Sequence, residues 1–357
     1  MPGIFLVRHG RPQTPDNRRY CLGNRSDFPL APEGLTQSSA LIPCFSGMEY
    51  ALYCSRLRRS RETAERLATG KRKISVSPGL DEIAVGEWEG MRFEAIRARY
   101  PELYARRGRN WALMPPGGES LDSGATRMET TLREIAEREG SDIVAITHEG
   151  AIRALLWKLM HLDPRHDALI RLPYGSITVL RYANGAFAVT ATGKSPDDIP
   201  SDEEIRELWR LCATPEPVRA HSLAVCEEAL RISTSLQRDG IILSPGRLRA
   251  AALLHDMARR EGKSHPHKAA AILRARGYLQ VARIVELHHD ITLSEPISEA
   301  HVLFLADKRM YGTKKVTLQE RFTASMGKCL TKDAVLAHDD RWQQALAIEK
   351  AITNRVK

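Results

Sequence analysis

Aromatic residues are scarce in this 357-residue chain, at 6%, and no segment interleaves them with its 53 Lys and Arg residues as a nucleic-acid-binding motif would. The net charge of +9 and pI near 9.3 therefore point to small anionic ligands, with nucleic acid ranked last among the partners. Cysteine is sparse as well. Its six copies (Cys21, Cys44, Cys54, Cys212, Cys226 and Cys329) form no C-x-x-C pair, which argues against a zinc knuckle and, without an export leader, against disulfides. Long apolar runs are missing: none approaches the roughly 20 residues of a membrane span. The N-terminus also lacks the charged, apolar and cleavage regions of a signal peptide, so a cytoplasmic location without membrane contact is expected.

What is there divides the chain in two. Its length exceeds what one hydrophobic core usually serves, and the pattern changes near residue 193. Before that point, short apolar runs ("IFLV" at 4, "ALYC" at 51, "ISV" at 74, "DIVAIT" at 142, "ITVL" at 177, "AFAVTA" at 186) alternate with helical stretches at 59–68, 125–139 and 150–160, the signature of an α/β doubly wound sheet. The segment 194–204 is rich in Pro, Asp and Ser and reads as a linker, with Ser201 capping the helix after it. Residues 205–357 read as all-α. Domains are thus expected at 1–193 and 205–357.

In the first half, "IFLVRHGRP" (4–12) ends a core strand in Arg8 and His9, and "DIVAITHEG" (142–150) ends another in His148. In open α/β sheets the ligand sits beyond the carboxyl ends of the strands, so two neighbouring strands of this kind would bring both histidines over one anion. A histidine there can attack phosphorus or donate to a phosphoryl oxygen. Arg59, on the helix after "YCS", adds a cation, and Glu82 in "LDEIAVGEWEG" adds an acid able to protonate a leaving oxygen.

The stretches "LVRHG", "SRLRRSRETA", "LDEIAVGEWEG", "PPGGES" and "ITHEGAIRALL" together resemble the histidine phosphatases related to phosphoglycerate mutases, over roughly residues 1–192, leaning toward the α-ribazole phosphatase branch. The resemblance implies a phosphoglycerate mutase-like fold with His9 as a nucleophile that becomes phosphohistidine. It further implies Arg8, Arg59 and His148 as the clamp on the phosphoryl group and Glu82 as the general acid, with no cofactor in this domain. Two stretches depart from the family pattern. Arg11 and Pro12 follow R-H-G, where an acidic or amide residue and threonine are usual, and Asn17 matches the phosphate-binding asparagine only across an insertion. Glu149 stands where glycine usually follows the second histidine, placing a negative charge beside the pocket.

In the second half, "AALLHDMA" sets adjacent His255 and Asp256 in an apolar helical pattern, where an unpaired carboxylate would be expensive and a cation is the natural remedy. His221, His267, His288 and Asp307 are the other candidates, and mixed imidazole and carboxylate ligands suit Mn, Fe, Zn, Co or Ni. "TPEPVRAHSLAV", "AALLHDMAR", "HKAAAIL", "VELHHD" and "LADKRMYG" resemble the HD superfamily of metal-dependent phosphohydrolases over roughly 200–325. By position, His221, His255, Asp256 and Asp307 match its core metal set, while His267 and His288 match the extra histidines that hold a second ion, His289 being an alternative. Such a domain implies hydrolysis of a phosphate ester or anhydride, expected to be of the nucleotide type, with a hydroxide that the metal makes available at neutral pH. Lys308 is a candidate phosphate contact. The expectation is a bifunctional phosphohydrolase on small phosphorylated substrates. The alternative is a phosphatase regulated by a ligand-sensing, non-catalytic HD domain.

Overall fold

The computed structural model describes residues 2–70, 72–165, 170–293, 296–327 and 329–355. The chain divides into two compact units, Met1–Pro196 with Ala275–Gly277, and Asp197–Arg274 with Tyr278–Lys357. The first unit runs β1 (Gly3–Arg8), α1 (Pro32–Ala40), α2 (Ile42–Phe45), β2 (Tyr50–Cys54), α3 (Arg58–Leu67), β3 (Ile74–Val76), α4 (Phe93–Arg99), α5 (Pro101–Arg107), α6 (Leu121–Arg138), β4 (Asp142–Thr147), α7 (Glu149–Leu159), β5 (Ile177–Ala183) and β6 (Ala186–Lys194).

Its six strands form one sheet in the order β3-β2-β4-β1-β5-β6. The four strands β3, β2, β4 and β1 are parallel, and β5 and β6 continue the sheet antiparallel beyond β1. The fold is therefore a mixed α/β sheet. β1 and β4 are its centre. Ile4, Leu6, Ile143 and Ala145 pack in one core cluster with Ala151 and Leu155 of α7, which explains why both strands read as continuous apolar runs. Register fixes the next step: Val7 lies opposite Ile146 and Arg8 opposite Thr147, so the residues that follow, His9 and His148, leave neighbouring strands at the same level.

The second unit runs α8 (Asp202–Leu211), α9 (Glu216–Arg238), α10 (Pro245–Leu254), α11 (His265–Ala275), α12 (Leu279–Glu286), α13 (Glu299–Lys308), a short hairpin of β7 (Met310–Tyr311) and β8 (Lys314–Lys315), α14 (Leu318–Met326) and α15 (Lys332–Thr353). Ser201 caps α8 in a full capping box with Glu204. Three helices stop earlier than their apolar patterns suggest. The pattern through 260 ends at Leu254, so His255 and Asp256 lie in the turn beyond α10, and that through 289 ends at Glu286. The pattern through 312 gives way after Lys308 to the hairpin, whose turn holds Gly312 at φ +60°. The core is aliphatic, built from α9, α10, α12 and α13 through residues such as Val225, Leu254, Val285 and Leu303. All six cysteines are free thiols. Among the described residues no helix is long and apolar enough to cross a membrane.

Candidate functional sites

The first site opens at the ends of β1 and β4. The rings of His9 and His148 lie 4.9 Å apart, both histidines buried. His9 donates from Nδ1 to the carbonyl of Gly10 at 2.6 Å, which leaves the lone pair on Nε2, and Nε2 accepts from Arg59 Nε at 3.1 Å. Gly10 has no room for a side chain, since a Cβ there would stand 2.4 Å from the carbonyl oxygen of Gly34. Arg59 is 1% exposed, on a stripe of α3 shared with Thr63 and Leu67, and one N–H of Nη1 and one of Nη2 donate to Ser26 O at 2.5 Å and Gly23 O at 3.1 Å. The cation is therefore built into the wall.

Burial, then the charges of Arg59 and Arg8, hold His9 well below the ordinary histidine value. His148 is lowered in the same way, by burial first and by Arg59 next. Its Nε2 lies 2.7 Å from Ser55 Oγ, while Nδ1 is buried without a hydrogen-bond partner among the described residues. His148 stands beside His9 but is not among the residues that line the pocket described next. Glu82 is pinned at the N-terminus of α7. It accepts from Ala151 N and Ile83 N at 2.9 Å and from Gly150 N at 3.1 Å, and burial raises its carboxyl above the usual range.

Arg8 donates through Nη1 to Leu172 O at 2.5 Å, pairs with Glu149 at 2.7 Å and lies 3.7 Å over the Tyr174 ring. These groups line a pocket of about 990 Å³ that includes Arg11, Arg18, Trp88, Trp111 and Arg171. A pocket this size, at the upper end of small-molecule sites, accommodates a substrate body as well as a phosphate. Arg11 is spent on Glu33 at 2.5 Å. Asn17 is exposed and accepts from Gln13 at 3.0 Å, so the structure assigns it no place in the lining. Ser55, which opens the stretch "SRLRRSRETA", and Tyr174, which no motif announces, complete the geometry.

The second site gathers two donor groups that could each hold a cation: His221, His255 and Asp307, and Asp256, His265, His288 and His289. Four histidines share one orientation. Nδ1 of His221, His255, His265 and His288 donates to the carbonyls of Gly312, Ala252, Gly262 and Val285 at 2.6–2.8 Å, leaving Nε2 as the lone-pair nitrogen. These lone pairs then meet other acceptors: His221 Nε2 stands 3.1 Å from Asp307 Oδ1, and His265 Nε2 is 2.7 Å from Asp256 Oδ1 and 3.3 Å from His288 Nε2. Acceptors this close need a proton or a metal ion between them: burial lowers His221, but the hydrogen bond and charge of Asp307 outweigh it and raise the ring above the ordinary histidine value, and Arg259 Nη1 lies 3.2 Å from His265 Nε2. His255 Nε2 is buried without a hydrogen-bond partner among the described residues, as a ligand atom awaiting its ion would be. Burial lowers His255 to about 4, favouring the neutral, ligating form. The residues present fit a divalent metal.

His267 does not join this cluster. Its side chain is 76% exposed and faces Glu286 at 3.4 Å. His265 takes the place instead, because it stands with Ala269 and Leu273 on the buried stripe of α11, a spacing of four that His267, two residues on, breaks. That periodicity was the available signal for His265. Lys308 is buried and bonded to Asp307 Oδ2 at 2.6 Å, so its ammonium lies at the cluster's edge.

These two arrangements stand on separate units, one at the strand ends of an α/β sheet and one among helices. The chain belongs to the histidine phosphatase superfamily, branch 1, whose family model matches residues 4–194, and residues 218–310 match the HD domain. It is 31% identical over 196 residues to bifunctional protein Rv2228c of Mycobacterium tuberculosis, covering 52% of each chain. Phosphoglycerate mutase-like protein 4 of Arabidopsis thaliana is 31% identical over 43% of this chain and 68% of its own. The chain spans about half the length of the mycobacterial relatives it matches. Among solved structures, the α-ribazole phosphatase of Shigella flexneri aligns at 20% identity and a TM-score of 0.48, over 56% of this chain and all of its own.

Proposed function

We propose that the chain carries two separate phosphohydrolase activities, a metal-free phosphomonoesterase on residues 1–193 and a metal-dependent hydrolase of phosphate esters or anhydrides on residues 205–357. The observation that carries the first is the His9 ring, held neutral with its lone pair on Nε2 beside the buried Arg59 cation. His9 Nε2 attacks phosphorus as the ester P–O bond breaks, and Glu82 gives its proton to the leaving oxygen. Glu82 then takes a proton from water, whose oxygen displaces His9 and releases inorganic phosphate. Arg8, Arg59 and His148 meet the charge of the phosphoryl oxygens throughout, in a site where fixed donors need no reorganisation.

In the second domain His221, His255, Asp256 and Asp307, with His265, His288 and His289, would hold one or two divalent ions. Such an ion supplies a nucleophile at neutral pH by acidifying water. The protein's part is to aim Nε2 of His221, His255, His265 and His288 by anchoring Nδ1 on a carbonyl, and to place Lys308 beside Asp307, where it can meet substrate phosphate. Nucleotides are the first class to try.

The test is phosphate release from a panel of phosphomonoesters and nucleotides, by wild type, His9→Ala and Asp256→Ala, with and without EDTA. Each variant should lose a different set of substrates, with only the set lost by Asp256→Ala also lost to EDTA. If Asp256→Ala loses nothing, the second hydrolase does not exist and the sensor alternative stands.

A further inference from the structure

The first residue of α7, Glu149, directly follows His148 and lines the pocket. Its two oxygens are divided between two arginines: Oε2 lies 2.7 Å from Arg8 Nη1 and Oε1 lies 2.6 Å from Arg153 Nη2. Arg8 is thereby held on three sides before any ligand enters, by Glu149, by the Leu172 carbonyl and by the Tyr174 ring beneath it. Its Nε is buried and has no hydrogen-bond partner among the described residues. The guanidinium is thus half spent and half reserved.

Charge makes this arrangement consequential. A phosphoryl dianion entering the site meets Arg8 already sharing a carboxylate, and the same holds for the product, inorganic phosphate, which carries comparable charge. Arginines without a counter-ion would bind substrate, product and transition state alike, and uniform binding of that kind does not speed turnover. We propose that Glu149 is a positioning residue that orients Arg8 and, as its counter-charge, sets how weakly the pocket holds inorganic phosphate. The inference rests on reading the first domain as a phosphatase. Glu149 takes no part in the covalent steps and acts through Arg8.

The experiment measures inorganic phosphate affinity by ³¹P NMR titration of the full chain, together with kcat and KM on p-nitrophenyl phosphate. Glu149→Gln keeps the shape and an oxygen that accepts from Arg8 but removes the charge, so phosphate should bind about threefold or more tightly, with KM and kcat falling together. Glu149→Asp, which restores the charge, should return the affinity toward wild type. Arg153→Gln should move it the other way, because Glu149 then acts on Arg8 alone. Phosphate affinity unchanged or weakened in a folded Glu149→Gln overturns the inference. The two readings fail separately. A chain that releases no phosphate from any monoester, yet binds it more tightly as Glu149→Gln, loses the phosphatase reading and keeps this one; hydrolysis with affinity indifferent to residue 149 does the reverse.

Discussion

Adding one methyl group at Gly150 tests whether Glu82 acts as a general acid. A Cβ at this position would stand 2.6 Å from Glu82 Oε1 and 2.9 Å from Cγ1 of Ile83, both closer than real Cβ contacts come. Gly150→Ala therefore forces the carboxylate off the amides of Gly150 and Ala151 that now hold it. Crowding of this kind costs about 1–3 kcal/mol of stability, offset in part by the roughly 1 kcal/mol by which alanine outranks glycine within a helix, so the variant should fold. Activity should fall according to the leaving group. Alkyl phosphates, whose departing oxygen needs a proton, should lose about 10²–10⁴-fold in kcat/KM, whereas p-nitrophenyl phosphate, with its stable phenolate, should lose little. Steady-state kinetics on both substrates, with the melting temperature as a folding control, decide the matter. Equal losses on the two would refute the assignment of Glu82, and no loss on either would refute the steric argument itself.

The pH profile of the same reaction follows from opposite shifts. His9 lies below the ordinary histidine value of 6.5 and is neutral at pH values where a free histidine is charged, while Glu82 lies above 4.5 and keeps its proton where a free glutamate has lost it. The profile of kcat/KM should therefore be a bell whose acid limb falls below pH 6.5 and whose basic limb falls above pH 4.5; an acid limb at or above 6.5 would contradict the burial of His9. In the second domain, His265→Ala should lower the number of divalent ions bound per chain, read by elemental analysis after gel filtration, and His267→Ala should leave it unchanged. The reverse result would place the wrong histidine in the cluster.

How much of this was legible in the sequence differs residue by residue, and the differences have physical causes. His9 and His148 could be paired because each follows an unbroken apolar run, a one-dimensional pattern that a buried parallel strand imposes on the chain. Arg59 was named from the arginine-rich helix after "YCS" and from the resemblance, and only the fold shows why it is the buried one, on a face of α3 shared with Thr63 and Leu67. Glu149 was visible only as a departure. Its charge could be read, but its division between Arg8 and Arg153 depends on which side chains the sheet and α7 bring together. His265 was hidden by a nearer distraction, since His267 sits in the same tripeptide and only the spacing to Ala269 and Leu273 separates the buried ring from the exposed one.

Helix ends were the weakest reading, and they matter most at the second site. His255 and Asp256 continue an apolar helical pattern, yet α10 ends one residue before them. His288 follows α12 in the same way, and the Gly312 carbonyl that orients His221 belongs to a hairpin turn. A regular helix commits its carbonyls to amides four residues on, whereas the last turn leaves carbonyls free. Ala252 and Val285 are such carbonyls, each three residues before the histidine it orients, and Gly262 serves His265 from the loop before α11. Ending the helices where it does, the fold gives the ring N–H groups backbone carbonyls to bond, although those of Val285 and Gly262 also accept from backbone amides. A single substitution that extended α10 through Asp256 would cost the site its ligand geometry without removing one ligand.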